Sequence, residues 1–311
     1  MSLNLENLGE CREGDEKISI ASECVWMDGK RVLITGSYGF LGSRAAEYFR
    51  ERGFELVIPP HKDMDITDAD CVNKVLLKLR PNAVIHCAAI SDTSVCEREE
   101  EASWQVNVLG SENVAGAAYA IGAKCIMCSS DQVYFGSDKR EAHVETESLH
   151  PANVYGRHKL LAEKKALYVN PECICLRLSW MYDMKSDNTG EHGDFLRTLL
   201  YHMQAGKELI YPVFDRRGIT YVWEVVRNLE KALDLPGGIY NFGAENQDST
   251  YDTVREVFVR LNMDVQRIYP DKNAFCKKNR NLSMDLTKLG QYGIYFRKTK
   301  DALADCLEDF L

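Results

Sequence analysis

The chain has 311 residues, of which 45% are hydrophobic and 27% charged, and its formal net charge is −9. This composition is ordinary for a globular protein and allows roughly one large or two smaller domains. The acidic balance excludes a general binder of nucleic acid or of anionic membranes, and no apolar run approaches the length of a membrane span.

The N-terminal residues 1–29 are polar and irregular and carry no hydrophobic signal segment. We therefore expect an N-terminal arm and a cytoplasmic protein. The eleven cysteines are expected to be reduced and mostly buried. Cys125 and Cys128 have redox or zinc spacing, but an odd offset along a predicted strand sends their side chains to opposite faces. Cys173 and Cys175 are expected to share one strand face, and no metal site is predicted.

Beyond the arm, β-rich runs alternate with segments of helical period. The predicted strands are RVLIT (31–35), FELVIPP (54–60), NAVIHCAA (82–89), KCIMCSS (124–130) and CICLRLSW (173–180). The predicted helices are one that ends at Gly53, one over 70–79, a long one over 102–123 and one that contains NVYGRHK (153–159). This alternation predicts right-handed βαβ units, and hence an α/β fold with a Rossmann-type, doubly wound parallel sheet.

The last third is less regular, with two predicted strands and two helical patterns. We interpret it as a smaller C-terminal α/β substrate lobe, partly interwoven with the first domain. The predicted division is an irregular arm over 1–29, a dinucleotide-binding domain over 30–180 and the lobe over 181–311.

Three glycines, Gly36, Gly39 and Gly42, form a G-x-x-G-x-x-G pattern between the first strand and its helix. Such a turn lets a pyrophosphate approach the backbone and meet the N–H groups and dipole of the helix, so it predicts a dinucleotide site. The acid that usually holds the ribose of NAD is replaced by His61 and Lys62. These cations favour NADPH, with NADH as the alternative if they are only solvated loop residues.

Tyr155 and Lys159 stand four residues apart and share one face of their predicted helix. An ammonium beside a phenol favours the phenolate, which would suit the tyrosine to proton transfer. The alternative is an ordinary surface tyrosine with a neighbouring lysine.

In order and spacing, the motifs from about residue 30 to the C-terminus resemble the extended short-chain dehydrogenase/reductases, and within them the dTDP-4-dehydrorhamnose reductases. They are TGSYGFLG, DITD (65–68), PNAVIHCAA, CEREEEASWQVNVLGSENVA, SSDQVYFG, ANVYGRHKLLAE, RLSWMY and RNLSMDLTKL (280–289). The resemblance implies NAD(P)H-dependent reduction of a nucleotide-linked 4-keto-6-deoxy sugar in dTDP-rhamnose biosynthesis. A homodimer is common in the superfamily.

The resemblance also implies roles for individual residues. Ser130 would polarise the substrate carbonyl, Tyr155 would give a proton to the developing alkoxide, and Lys159 would bind the nicotinamide ribose and lower the tyrosine pKa. Ser130 precedes Tyr155 by 25 residues, an interval similar to that of the family. The expected cofactor-binding residues are Gly36, Gly39, Phe40, Leu41, Gly42, His61, Lys62, Asp65, Ile66, Ala88, Ala89, Asn107, Tyr155 and Lys159. The expected substrate-binding residues are Ser130, Asp131, Val133, Trp180 and Arg217.

Two segments at the family's substrate pocket depart from its pattern. Thr93 and Ser94 replace a valine and an aspartate, and Arg216 stands where a glutamine is usual. Arg216 and Arg217 either pair with a diphosphate or are exposed charges. Two alternatives therefore stay open: a sugar-nucleotide epimerase of the superfamily, and a non-catalytic regulatory subunit resembling that of methionine adenosyltransferase.

Overall fold

The structure is a computed structural model that describes residues 30–184 and 195–308. The arm expected over 1–29 lies outside the described residues. The strands are β1 (Arg31–Thr35), β2 (Glu55–Val57), β3 (Ala83–His86), β4 (Lys124–Ser130), β5 (Ile174–Leu178), β6 (Trp180–Tyr182), β7 (Leu209–Pro212), β8 (Asp215–Arg217), β9 (Ile219–Tyr221), β10 (Gly238–Phe242), β11 (Ile268–Asp271) and β12 (Arg280–Leu282). The helices are α1 (Phe40–Glu51), α2 (Ala69–Leu79), α3 (Thr93–Arg98), α4 (Glu100–Trp104), α5 (Gly110–Ala120), α6 (Val154–Val169), α7 (Phe195–Gln204), α8 (Val222–Ala232), α9 (Thr250–Arg260), α10 (Thr287–Gly290) and α11 (Thr299–Glu308).

The centre is a six-stranded parallel sheet in the order β10-β5-β4-β3-β1-β2. Helices cover both faces, so the inner strands read as continuous apolar runs, as is typical of parallel sheets. In β4 every residue after Lys124 is buried. One apolar cluster joins the sheet to α1 and α8, and the other joins it to α2, α5 and α6. The predicted Rossmann-type α/β fold is therefore confirmed.

The cysteine predictions test the strand register. Cys128 belongs to the cluster on the α1 face, whereas Cys125 belongs to the cluster on the opposite face. Cys173 and Cys175 both lie in the second cluster. Both predictions are confirmed, because side chains alternate between the faces of a strand.

The long helix predicted over 102–123 is present as one continuous helical segment over 100–120, although its hydrogen-bond pattern changes along the way. α4 is followed directly by a π-helical turn at Gln105–Leu109 and then by α5. Just past the turn, the Ser111 hydroxyl donates to the Asn107 carbonyl at 2.8 Å. Gly110 packs so closely on Ile66 that a Cβ there would lie 2.7 Å from its Cδ1 atom. The predicted helix is therefore confirmed, whereas the π-helical turn within it was not predicted.

The part of the chain after β6 contributes both to the central sheet and to the helices that cover it. β10 extends the central sheet beside β5, and α8 packs against α1. Two two-stranded parallel pairs, β6 with β9 and β7 with β11, contribute to a separate apolar cluster with α7, α9 and α11. A third parallel pair joins β8 to β12, and Leu282 of β12 lies in a small cluster with Val133 and Tyr134. No helix in the described ranges is both long and apolar enough to cross a bilayer.

Candidate active site

The glycine turn between β1 and α1 brings the backbone close to the end of β3. Gly36 has φ +66°, and a Cβ there would lie 2.6 Å from the Ala88 nitrogen. A Cβ on Gly42 would lie 2.2 Å from the Gly36 carbonyl oxygen. Gly39, which precedes α1, donates its N–H to the Gly36 carbonyl at 3.0 Å. Only glycine fits at positions 36 and 42, so the turn forms a tight cradle at a helix N-terminus.

The first turn of α1 has no acidic residue and no side-chain cap. Its N–H groups are therefore available to an anion. Leu41 is buried in the core beneath the turn, and Phe40 lies under the Arg44 guanidinium, 4.3 Å from the ring centroid.

The segment after β2 carries the predicted nucleoside contacts. His61 and Lys62 are exposed in a short 3-10 turn. Asp65 accepts hydrogen bonds from the backbone N–H and hydroxyl of Thr67, which lower the pKa of its carboxyl. Ile66 is buried beside Gly110. The His61 and Lys62 side chains thus face solvent.

The residues after β3 and the π-helical turn are bound to each other. Ala88 donates its N–H to the Thr35 hydroxyl at 3.2 Å, and Ala88 and Ala89 are half-buried. The Asn107 amide is fully buried, accepts from the Ile90 N–H and donates to the Ile90 carbonyl, each at 2.9 Å. Asn107 therefore fixes the loop that follows Ala89.

Ser130, Tyr155 and Lys159 come together at the end of β4. Asn153 caps α6 by accepting the Gly156 N–H at 2.7 Å, which sets the start of the helix one residue before Tyr155. The Lys159 ammonium donates to the Cys128 carbonyl at 2.9 Å and lies 5.7 Å from the centroid of the Tyr155 ring.

The electrostatics of Tyr155 differ from the prediction. Burial raises the pKa of its phenol, the Asp131 charge raises it further, and a hydrogen bond with Ser130 opposes them. Burial and the Asp131 charge outweigh any lowering by Lys159, so the pKa of Tyr155 is raised and not lowered. Burial lowers the pKa of Lys159, while nearby groups, Cys128 first, oppose that shift. Tyr155 therefore holds its proton near neutral pH.

A paired acid and arginine stand on the predicted substrate side. Asp131 is buried and accepts hydrogen bonds from the Arg217 guanidinium at 3.0 Å and from the Ser130 hydroxyl at 3.2 Å. Burial raises its pKa, against the charge of Arg217. The Arg217 guanidinium lies 4.8 Å from the centroid of the exposed Trp180 ring. Val133, predicted to contact substrate, is instead buried in a small apolar cluster, so its side chain serves packing.

Two adjoining cavities flank this pair. One of about 300 Å³ is lined by Thr93, Ser94, Glu97, Gln132, Phe135, Asn153, Arg217 and Arg280. The other, of about 210 Å³, is lined by Ser137, Asp138, Lys139, Arg140, Phe214, Arg216, Lys277, Lys278, Asn279, Arg280 and Asn281. Arg280 lines both and is bound by Asp215 through two hydrogen bonds of 2.7 Å. Arg280 was not among the expected site residues, although the RNLSMDLTKL motif begins with it.

No cluster of three or more metal-binding side chains occurs among residues 30–184 and 195–308. The arrangement instead offers a buried proton donor, a buried ammonium and a hydroxyl beside a glycine cradle and a basic cavity.

Comparison with known proteins gives the relationships of the chain. The family model of the RmlD substrate binding domain matches residues 30–311. The dTDP-4-dehydrorhamnose reductase of Aggregatibacter actinomycetemcomitans is 31% identical over 284 residues, covering 85% of this chain and 94% of the relative. The methionine adenosyltransferase 2 subunit beta of Bos taurus is 33% identical over 304 residues, covering 92% and 87%. The crystal structure of dTDP-4-dehydrorhamnose reductase from Bacillus anthracis, in complex with NADP, shares the fold with a TM-score of 0.79 at 24% identity, covering 91% of this chain and 99% of that one.

Proposed function

The chain belongs to the RmlD substrate binding domain family, and we propose that it is an NADPH-dependent reductase of a nucleotide-linked 4-keto-6-deoxy sugar. The expected reaction is of the type that converts dTDP-4-dehydrorhamnose into dTDP-rhamnose. The observation that carries the proposal is the convergence of Ser130, Tyr155 and Lys159 at the end of β4, with the phenol still protonated.

The cofactor is proposed to lie across the glycine cradle. Gly36 and Gly42 leave room that a Cβ would fill, and the N-terminus of α1 faces the position where a pyrophosphate would lie. His61 and Lys62 are exposed and would meet a 2′-phosphate, so NADPH is preferred and NADH is the alternative. The bound cofactor supplies a hydride to the carbonyl carbon.

The chain's own groups handle the proton and the charge. The Ser130 hydroxyl would donate a hydrogen bond to the substrate carbonyl, and Tyr155 would give its proton to that oxygen. The Lys159 ammonium, held by the Cys128 carbonyl, would bind the ribose and stabilise the phenolate that proton transfer leaves behind. Asp65, Ile66, Ala88, Ala89 and Asn107 are proposed to line the cofactor path.

Charge orients the proposed substrate. In the larger cavity Arg217 is paired with Asp131 and Arg280 with Asp215, so its net charge is small. The smaller cavity is lined by six cationic side chains and one acidic one, and three of the six are paired with carboxylates: Lys139 with Glu147, Arg280 with Asp215 and Lys278 with Asp138. The other three, Arg140, Arg216 and Lys277, have no ion-pair partner among the described residues and make this cavity the more positive. A diphosphate would therefore bind on the side of Arg216 and Arg280, which directs the sugar towards Ser130 and Trp180.

A second candidate is a regulatory subunit without catalysis. The observation that favours it is the 33% identity with the Bos taurus subunit beta over 92% of the chain. A cytoplasmic location is proposed for either role, because all the described cysteines are free thiols.

The test is NADPH oxidation in the presence of dTDP-4-dehydrorhamnose, with the product identified by mass spectrometry. Tyr155→Phe removes only the hydroxyl, so we expect kcat/KM to fall about 10²–10⁴-fold while NADP⁺ still binds. Tyr168→Phe is the matched control, since Tyr168 lies on the same helix and is 87% exposed. Absence of turnover with the cofactor bound contradicts the reductase and favours the regulatory role. Conversion of a nucleotide sugar without NADPH consumption indicates an epimerase.

A further inference from the structure

Two thiols face each other where β3 and β4 approach the glycine cradle. The Sγ atoms of Cys87 and Cys128 are 3.7 Å apart. His86 of β3 is in register with Met127 of β4, so Cys87 and Cys128 are the next facing pair along the two strands. Both thiols contact the apolar cluster on the α1 face.

The geometry suits a covalent link. Neighbouring parallel strands lie about 4.8 Å apart, within the range of about 4.4–6.8 Å that a disulfide requires between Cα atoms. The two sulfurs need only approach to about 2 Å, a movement available to side-chain rotation with small strand adjustments.

The pair adjoins the proposed cofactor path. A Cβ on Gly36 would lie 2.8 Å from the carbonyl carbon of Cys87, and Ala88 follows directly. On the other strand, the Cys128 carbonyl holds the Lys159 ammonium at 2.9 Å. Cys87 is half-buried and Cys128 is 7% exposed, so a small oxidant would reach the pair from the side of Cys87.

We propose that Cys87 and Cys128 form an oxidation site, in which a peroxide links them as a disulfide and thereby weakens binding of the nicotinamide cofactor. The second half rests on the proposed function, whereas formation of the disulfide does not. The Cys128 thiolate attacks one peroxide oxygen, which yields a sulfenic acid and, after protonation, one water. The Cys87 sulfur then displaces the hydroxyl, which leaves as a second water, so two thiols and one hydrogen peroxide give one disulfide and two waters.

The environment supports Cys128 as the attacking thiol. A hydrogen bond from the Cys87 thiol and the charge of Lys159 lower the pKa of Cys128, against the effect of burial. Thiolates react with peroxides, whereas neutral thiols are nearly inert.

The chain contains a matched comparison pair. Cys125 and Cys173 also face each other on neighbouring parallel strands, since Ile126 is in register with Ile174. Both are 0–1% exposed beneath the helices of the opposite face. We therefore expect them to stay reduced although their strand geometry is the same.

A disulfide would draw the two strand ends together. That movement would shift Ala88 against the cradle and Lys159 through its carbonyl partner. Because the cofactor is proposed to pass close to Ala88, we expect NADP⁺ affinity to fall about tenfold or more, each tenfold being a loss of about 1.4 kcal/mol of binding free energy.

The experiment treats the full-length protein with hydrogen peroxide, removes the oxidant, and maps cross-linked peptides by mass spectrometry without reduction. NADP⁺ affinity is measured by calorimetry before treatment, after it, and after dithiothreitol. Cys87→Ser tests the pair, and Cys276→Ser is the control because Cys276 is exposed. Saturating NADP⁺ during treatment should slow the cross-link by covering Cys87.

The expected result is a Cys87–Cys128 peptide in wild type and Cys276→Ser but not in Cys87→Ser, with an affinity loss that dithiothreitol reverses. The proposal is overturned if Cys276 oxidises and no such peptide forms, if Cys125–Cys173 links equally fast, or if the peptide forms and NADP⁺ affinity is unchanged. Failure of the reduced protein to bind NADP⁺ contradicts the proposed function and the cofactor half of this proposal, and the peptide map alone then decides the oxidation site.

Discussion

Replacing Glu163 by glutamine should destabilise the helix that carries Tyr155 and Lys159. Glu163 is fully buried on α6 and accepts three hydrogen bonds, from the Ser129 hydroxyl at 2.5 Å and from Arg177 at 3.0 and 2.8 Å. Arg177 is 1% exposed. Removing one partner of a buried ion pair costs about 3–5 kcal/mol, because the remaining charge is left without compensation. We expect the free energy of unfolding to fall by this amount in urea titrations.

A second ion pair provides the control. Glu112 of α5 pairs with Lys165 of α6 at 2.6 Å, but its side chain is 24% exposed and that of Lys165 is 34% exposed. Glu112→Gln should therefore cost about 1 kcal/mol or less. Combining Glu163→Gln with Arg177→Met should recover most of the loss, since no buried charge then stands alone. Equal losses for Glu163→Gln and Glu112→Gln would refute the reasoning.

Three further outcomes are expected. Glu97 accepts the Val154 N–H at 2.7 Å, at the start of the helix that carries Tyr155. Glu97→Ala should therefore cost about 1 kcal/mol of stability or less but lower kcat/KM about tenfold. A merely structural role would leave kcat/KM unchanged. Burial lowers the pKa of His86 to about 3 from 6.5, so the contribution of neutral His86 to the free energy of unfolding is complete above pH 6.5. It is lost at about 1.4 kcal/mol per pH unit as pH falls towards 3. In urea titrations at different pH values, the free energy of unfolding of His86→Asn should therefore fall less steeply on the acid side, and an unchanged slope contradicts this assignment. The Asp131 charge raises the pKa of Tyr155, so Asp131→Asn should move the basic limb of the profile of kcat/KM against pH to lower pH. A basic limb that stays in place or moves to higher pH contradicts this prediction.

The regular parts of the fold were predictable because strand and helix periods are local properties. The opposite faces of Cys125 and Cys128 follow from the period of two, whatever packs on the sheet. The end of α1 was equally local, since Gly53 adopts φ +85° just past the helix, a conformation that glycine favours. The π-helical turn was not; it ends beside Gly110, which packs closely on Ile66, a residue 44 positions away in the sequence.

The pairings inside the candidate site depend on distant parts of the chain. Asp131 and Arg217 are 86 positions apart, and Asp215 and Arg280 are 65 apart. Neither arginine carries a local sequence signal that tells an internal ion pair from a free cation. The local sequence could therefore suggest a diphosphate site at Arg216 and Arg217, but it could not show that a buried carboxylate already binds Arg217.

The protonation state of Tyr155 shows why the residue types alone mislead about mechanism. The spacing of Tyr155 and Lys159 suggests an ammonium that acidifies the phenol, yet the ammonium donates to the Cys128 carbonyl and burial dominates the pKa of both groups. A phenol that keeps its proton suits reduction, in which the tyrosine must donate to an alkoxide. The charge of Asp131 strengthens that preference, because it raises the pKa of Tyr155 further. Burial and a carboxylate next to Ser130 in sequence thus keep the proton on Tyr155, although the spacing of Tyr155 and Lys159 alone predicted a lowered pKa.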